Sequence, residues 1–249
     1  MIRFAPVAAT VGALLVATAG CATIEQEELG AFEASEELMA AVISPARPAE
    51  DVARDAARLP LETISFAGVA PGQTIAEIAP GGGYYTRILA QAVGSEGKVY
   101  ALMPASFANR PGGLDTINAL AEQYGNIEVV VVESYASLTL PEQVDLVWTT
   151  ENYHDLANGD VAATNRWAYG AVRPGGIYFV EDHAAPGTGT AATATLHRID
   201  PATVRQQVTA AGFRFEAESN HLANPADPHT ANPRDFAGES DRFAFRFRR

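Results

Sequence analysis

The sequence predicts an α/β domain: a mostly parallel sheet with helices on both faces and an antiparallel hairpin at its C-terminal end. Three observations predict it. From residue 74 onward short apolar strands alternate with amphipathic helices, a Pro-Gly-Gly-Gly turn joins the first of these strands to its helix, and the chain closes on Phe243, Phe245 and Phe247 alternating with Arg242, Arg246 and Arg248. Strand and helix in alternation require right-handed crossovers and a parallel sheet covered on both sides. The last two strands have only a Pro- and Asn-rich loop between them, over 220–241, and can pair directly as a hairpin.

The first 20 residues stand apart. Met1-Ile2-Arg3 gives a positive start, and residues 4–20 carry no charge and are rich in Ala, Gly and Thr. This run is shorter and less apolar than the ~20 residues a membrane-crossing helix needs, so 1–20 reads as a cleaved signal peptide. Thr18-Ala19-Gly20-Cys21 resembles a bacterial lipobox, which implies that Cys21 is lipidated and becomes the first residue after cleavage. Ala22 follows it where an inner-membrane retention signal often shows Asp, so the outer membrane, facing the periplasm, is the expected destination. The alternative is a soluble exported protein with an incidental cysteine. Residues 21–45 read as a tether with a short helix, and 46–249 as the domain. Cys21 is the only cysteine, so no intramolecular disulfide is possible and the fold must rest on its core. The net charge of −13 disfavours nucleic acid and anionic headgroups, leaving the lipid as the sole membrane contact. Lys98 is the single lysine and falls in an exposed turn, which argues against Schiff-base chemistry.

The elements follow in order. Helices are expected over 36–42 and 49–58, the first broken by Pro45 and Pro48. Strand 74–79 leads through the glycine turn into helix 84–93, where Tyr85, Ile88, Leu89 and Ala92 share a face. Strand 98–103, helix 114–124, the β-branched strand 127–132 and strand 144–149 come next. Helix 161–172, strand 176–180 and helix 201–211 follow, the last with Asp200 as N-cap and Gly212 beyond its end. Strands 213–219 and 242–248 complete the sheet.

In open α/β sheets ligands sit beyond the carboxyl ends of the strands. There the first strand carries Glu77, a carboxylate in an otherwise apolar run, and then Pro80-Gly81-Gly82-Gly83. Glycines at such a turn let backbone approach a ligand closely and present amides at a helix N-terminus. Here the chain resembles the class I S-adenosylmethionine-dependent methyltransferases. Their first motif, acid-x-Gly-x-Gly-x-Gly, is matched by Glu77, Ala79, Gly81 and Gly83, with Ala79 in place of the first glycine. The resemblance runs over 61–249 and includes Arg173-Pro174-Gly175-Gly176. The run from Gly81 to Thr86, with Asn152-Tyr153-His154-Asp155, is similar to a subgroup of exported predicted methyltransferases.

The resemblance implies a Rossmann-like seven-stranded sheet with S-adenosyl-L-methionine over the glycine turn, held by Glu77, Pro80, Gly81, Gly82, Gly83 and Tyr85, with Glu133 and Asn152 contributing. One departure stands out: where the family ends its second strand with an acid that bonds both ribose hydroxyls, this chain has Met103. Losing a bidentate charged bond of roughly 1.5–3 kcal/mol weakens cofactor affinity about tenfold or more.

After the fourth strand, His154 has the intrinsic pKa of a general base at neutral pH. Asp155 is placed to orient its imidazole, and Tyr153 to line the sulfonium slot by cation–π contact. The alternative is that His154-Asp155 merely caps the next helix. His154, His183 and His197 with Asp155, Glu181 and Asp182 reach the same sheet edge, a set that can bind a divalent metal; no tight ligand spacing such as His-Glu-x-x-His is present, and no metal is assigned. Asn220, His221, Asp227 and His229 read as part of a lid or turn. Two functions follow: a methyltransferase acting on a small or envelope-associated acceptor, or a non-catalytic, repurposed binding lipoprotein that retains the fold.

Overall fold

The structure, a computed structural model, describes residues 35–249; the expected signal peptide, Cys21 and most of the expected tether lie outside the described residues. Its strands are β1 (Thr74–Ile78), β2 (Lys98–Pro104), β3 (Ile127–Val132), β4 (Val144–Thr150), β5 (Val172–His183), β6 (Arg214–Ser219) and β7 (Arg242–Arg248). They form one sheet in the order β3-β2-β1-β4-β5-β7-β6. The first five are parallel, and β7 runs antiparallel to both β5 and β6. Strand order reverses between β1 and β4, which sets the ligand crevice at their carboxyl ends.

Among the described residues four helices precede β1: α1 (Glu36–Val42), α2 (Ala49–Val52), α3 (Asp55–Arg58) and α4 (Pro60–Ala67). Then come α5 (Tyr84–Val93) after β1, α6 (Ala105–Ala108) and α7 (Asp115–Tyr124) after β2, α8 (Tyr153–Leu156) and α9 (Val161–Ala171) after β4, and α10 (Thr193–Leu196) and α11 (Pro201–Ala210) after β5. Among the described residues no helix is long and apolar enough to cross a membrane.

Successive strand residues point to opposite faces, and the core divides accordingly. Ile75, Val99, Leu146, Trp148 and Phe179 pack with Ile64, Tyr85, Ile88 and Leu89 on one side. Ala76, Tyr100, Val147, Tyr178 and Phe247 pack with Trp167, Val204 and Val208 on the other. On the first side Tyr85, Trp148 and Phe179 form a run of rings with centroids 4.9 and 4.5 Å apart. Each such side chain contributes roughly 1.5–3 kcal/mol by leaving water.

Several boundaries differ from the sequence reading. The helix expected over 49–58 is two single turns, α2 and α3, and α4 follows where no element was expected. Leu59 adopts a left-handed φ of 41° that ends α3, and Pro60 then starts α4 at a position that needs no N–H donor. The helix expected over 36–42 is α1, and it places Leu38 and Ala41 in the core. β5 begins at Val172 rather than at 176 because Val172 pairs with Val144 across a bulge. The loop over 220–241 is tied down: Arg198 and Asp227, with fully buried side chains, pair at 2.8 Å, and Arg198 Nε donates to the Ala231 carbonyl at 2.7 Å.

Candidate functional site

A cavity of about 1020 Å³ opens beyond the carboxyl ends of β1, β2, β4 and β5. It is lined by Gly81 and Gly82 of the glycine turn, by Met103, Asn152, His154 and His183, and by Arg54 and Arg58 with Arg234 and Ser240 from the late loop.

The turn after β1 owes its shape to three left-handed residues, Ala79 (φ 51°), Gly81 (φ 58°) and Gly83 (φ 82°). The two outer glycines serve different ends. A Cβ on Gly81 would meet nothing within 4 Å, so the backbone there faces open space. A Cβ on Gly83 would lie 2.4 Å from Leu120 Cδ1, so that glycine lets α7 pack against the start of α5. Glu77 sits beneath the turn. It accepts a bond from Thr86 Oγ1 at 2.6 Å, tying β1 to α5, and burial pushes its carboxyl up to about 7, against the effect of that bond.

Asn152 joins the two central strands: its amide donates to the carbonyls of Thr150 at 2.6 Å and Ala79 at 3.2 Å. Glu151, beside it, has a left-handed φ of 54°. Its carboxylate lies between Arg58 and Arg242, pairing with the first and 3.1 Å from the second. Burial would raise Glu151, but Arg58, His183 and Arg242 together hold it below the usual range. Glu181, wholly buried, lies 3.4 Å from Arg242, and burial raises it despite that neighbour.

His154 is 3% exposed and is fixed from behind by Asp182. The backbone N–H of His154 donates to one carboxylate oxygen at 2.7 Å, and its ring Nδ1 lies 2.8 Å from the other. A carboxylate only accepts, so Nδ1 carries the hydrogen and neutral Nε2 offers its lone pair. Burial lowers the imidazole, but Asp182 and the carboxylates beyond it more than offset this and leave His154 above the ordinary value. Around Nε2 stand Asp155 Oδ1 at 3.6 Å and His197 Nδ1 at 3.3 Å. His183, by contrast, is lowered to about 4, chiefly by burial, and its Nδ1 faces Ser240 Oγ at 2.8 Å.

Of the residues singled out from the sequence, Gly81, Gly82, Asn152, His154 and Asp155 meet at this cavity, whereas Glu77, Pro80, Gly83, Tyr85, Tyr153 and Glu133 do not line it. Three roles change. The carboxylate that orients His154 is Asp182 of β5, because Asp155 approaches the other ring nitrogen at a distance too long for a hydrogen bond. Tyr153 is fully buried; its hydroxyl accepts from Asn165 at 2.7 Å and donates to Gln207 at 3.2 Å. One helical residue is a rotation of about 100°, enough to send Tyr153 to the core and His154 toward Asp182. Tyr85 packs on Trp148 inside the core, and Glu133 is exposed after β3.

Sequence reasoning missed Arg58 and Arg242 as walls of the site. Their only signal was an arginine at each edge of the domain, with nothing to show that both converge on Glu151. The histidines at 154 and 197 were recognised without their pairing, since 43 residues separate them.

Comparison with solved structures bears on the fold. The chain superposes on an S-adenosylmethionine-dependent methyltransferase from Aquifex aeolicus with a TM-score of 0.57 at 16% identity, covering 79% of this chain and 92% of that one. A second, from Mesorhizobium loti, gives a TM-score of 0.57 at 19% identity over 78% of this chain and 99% of that one. This is the methyltransferase fold. The [4+2]-cyclase SpnF is equally similar, with a TM-score of 0.58 at 14% identity over 78% and 80% of the two chains, so the fold by itself does not fix the reaction. No protein-family model and no curated protein matches the chain.

Proposed function

We propose that the chain is an S-adenosylmethionine-dependent methyltransferase, anchored to the outer membrane through Cys21 and acting on a small or envelope-associated acceptor. The observation that carries this reading is the meeting, in one cavity, of the open glycine turn at Gly81 and Gly82 with a histidine held by a buried carboxylate.

The residues present suit the cofactor at most points. The turn offers backbone with no side chain in the way, and Met103 and Phe107 give apolar surface beside it. At the end of β2 no carboxylate is available for a ribose. When bound, the cofactor supplies an electrophilic methyl group. Gly81 and Gly82 cradle it by backbone, and Asn152 keeps the turn and β4 in register. His154 takes the acceptor's proton at Nε2, and Asp182 stabilises the imidazolium that results. Transfer is an in-line displacement, so most of the acceleration comes from holding the partners in line, with the base needed for acceptors that ionise poorly.

The test is calorimetry on delipidated protein with S-adenosylmethionine and with its demethylated product. Binding that Gly81→Val removes supports the reading. Absence of binding at millimolar ligand would instead favour a binding lipoprotein that retains the fold, the reading to which Met103 lends weight.

A further inference from the structure

We propose that His154, Asp155 and His197 form a binding site for a single divalent transition cation of the zinc class. The three residues come from two segments: His154 and Asp155 from α8, His197 from the end of α10, where it takes a left-handed φ of 51°. One potential ligand atom from each lies in a small triangle. His154 Nε2 is 3.3 Å from His197 Nδ1, Asp155 Oδ1 is 3.6 Å from the first, and it is 3.7 Å from the second.

These lengths discriminate. Ordinary N–H···O bonds run ~2.7–3.2 Å, so the carboxylate is bonded to neither imidazole although it stands beside both. Four-coordinate bonds of ~2.0–2.2 Å place neighbouring ligand atoms about 3.3–3.6 Å apart. An octahedral ion at ~2.1 Å would need them near 3.0 Å. Two edges of the triangle fall in the tetrahedral range and the third, 3.7 Å, lies just beyond it and further still from the octahedral one; two imidazoles with one carboxylate suit zinc's ligand preferences better than magnesium's or calcium's.

The surroundings support the assignment independently. Asp182, wholly buried, takes the Nδ1 hydrogen of His154 and so directs the Nε2 lone pair into the triangle. A carboxylate behind a ligating imidazole is the usual outer support of a metal-bound histidine. The rings of His154 and His197 stand at 90° with centroids 5.3 Å apart, so their nitrogens converge without stacking. All three residues line the cavity, so the fourth position of a tetrahedral ion opens toward the space an acceptor would fill. A water or an acceptor oxygen there would be acidified by the ion, and while the ion is bound Nε2 cannot itself take a proton. The inference stands on these three residues and does not require that the chain transfer methyl groups.

The experiment uses the untagged full chain, stripped with a chelator and titrated with cobalt(II) and zinc(II), following visible absorption and heat. The expected result is one cobalt per chain with the intense visible bands of a four-coordinate ion, displaced by zinc. Asp182→Asn should weaken binding by ~10–100-fold, the usual effect of removing an outer support, and His197→Ala by more. His197 is partly exposed, so its variant should melt as the stripped wild type does; Asp155→Asn, at an exposed side chain, provides a second variant that does not threaten the fold. Absence of stoichiometric uptake, a six-coordinate cobalt spectrum, or uptake unchanged in both His197→Ala and Asp155→Asn would overturn the proposal. Calorimetry with S-adenosylmethionine reads a different ligand, so either reading can fail alone.

Discussion

Asp182 holds His154 by two contacts at once, one oxygen receiving the backbone N–H at 2.7 Å and the other facing ring Nδ1 at 2.8 Å. The first sets where α8 begins and the second sets the tautomer, so a single carboxylate decides both the position and the protonation pattern of the ring. In protein stripped of metal, His154→Ala should lower methyl transfer by ~10²–10⁴, the usual range for a general base, with cofactor affinity kept within a few-fold. Asp182→Asn should lower turnover while leaving the ring in place. Steady-state rates beside calorimetry check this; equal losses in both quantities would indicate that His154 only positions ligands.

The two outer glycines of the turn should fail in different ways. Gly81→Val puts a side chain into open cavity and should abolish cofactor binding. Both glycines have positive φ, so either valine strains the backbone, and Gly83→Val, which also drives a side chain into Leu120, should lower the melting temperature further. Thermal melts alongside calorimetry separate the two; similar melting losses in both variants would contradict the distinction.

Glu77 makes stability depend on pH. Its carboxyl is raised from the ordinary 4.5 to about 7 by burial, so between those values the folded chain holds a proton that the unfolded chain has released. Stability should therefore be greatest below about 4.5, as far as this group is concerned, fall as pH rises toward 7, and level off above it, by on the order of 3 kcal/mol at most. Glu77→Gln should flatten that slope while keeping an acceptor for Thr86. Urea titrations at a series of pH values test it, and an unchanged slope in the variant would exclude Glu77 as its source.

Arg242→Met should be costly, because it leaves the buried Glu181 without its ion-pair partner and Glu151 with Arg58 alone. Removing one member of a buried pair typically costs about 3–5 kcal/mol. The loss is measured by urea unfolding and should shrink when Glu181→Gln is added to the same chain.

Cys21→Ser should release the processed protein from membranes without altering the melting of the domain, since Cys21 precedes every described element. Fractionation in high salt checks this, and continued sedimentation with outer membrane would contradict the lipid anchor.

The sheet was legible because its signals are local. Alternation of strand and helix, the glycine turn and the Phe–Arg alternation of β7 each follow from a few adjacent residues, and β5, β7 and β6 lie where that pattern puts them. The site was legible only in part, because its decisive contacts join distant residues. Nothing near His154 in the chain reveals Asp182, and Asp155, its neighbour, was the natural but mistaken choice. Tyr153 and Tyr85 were read as ligand contacts because aromatic residues beside a site and aromatic residues in a core look alike until burial separates them.

Glu151 takes a guanidinium from Arg58, before the first strand, and another from Arg242, in the last. The beginning and the end of the described chain are thus stitched together at one carboxylate directly over the cavity. Shortening the chain past residue 58 to reach a tidier sheet would take away a wall and leave Glu151 facing one arginine where it had two. The segment before β1 is therefore part of the vessel, and a shortened version of this protein should be expected to leak its ligand before it loses its sheet.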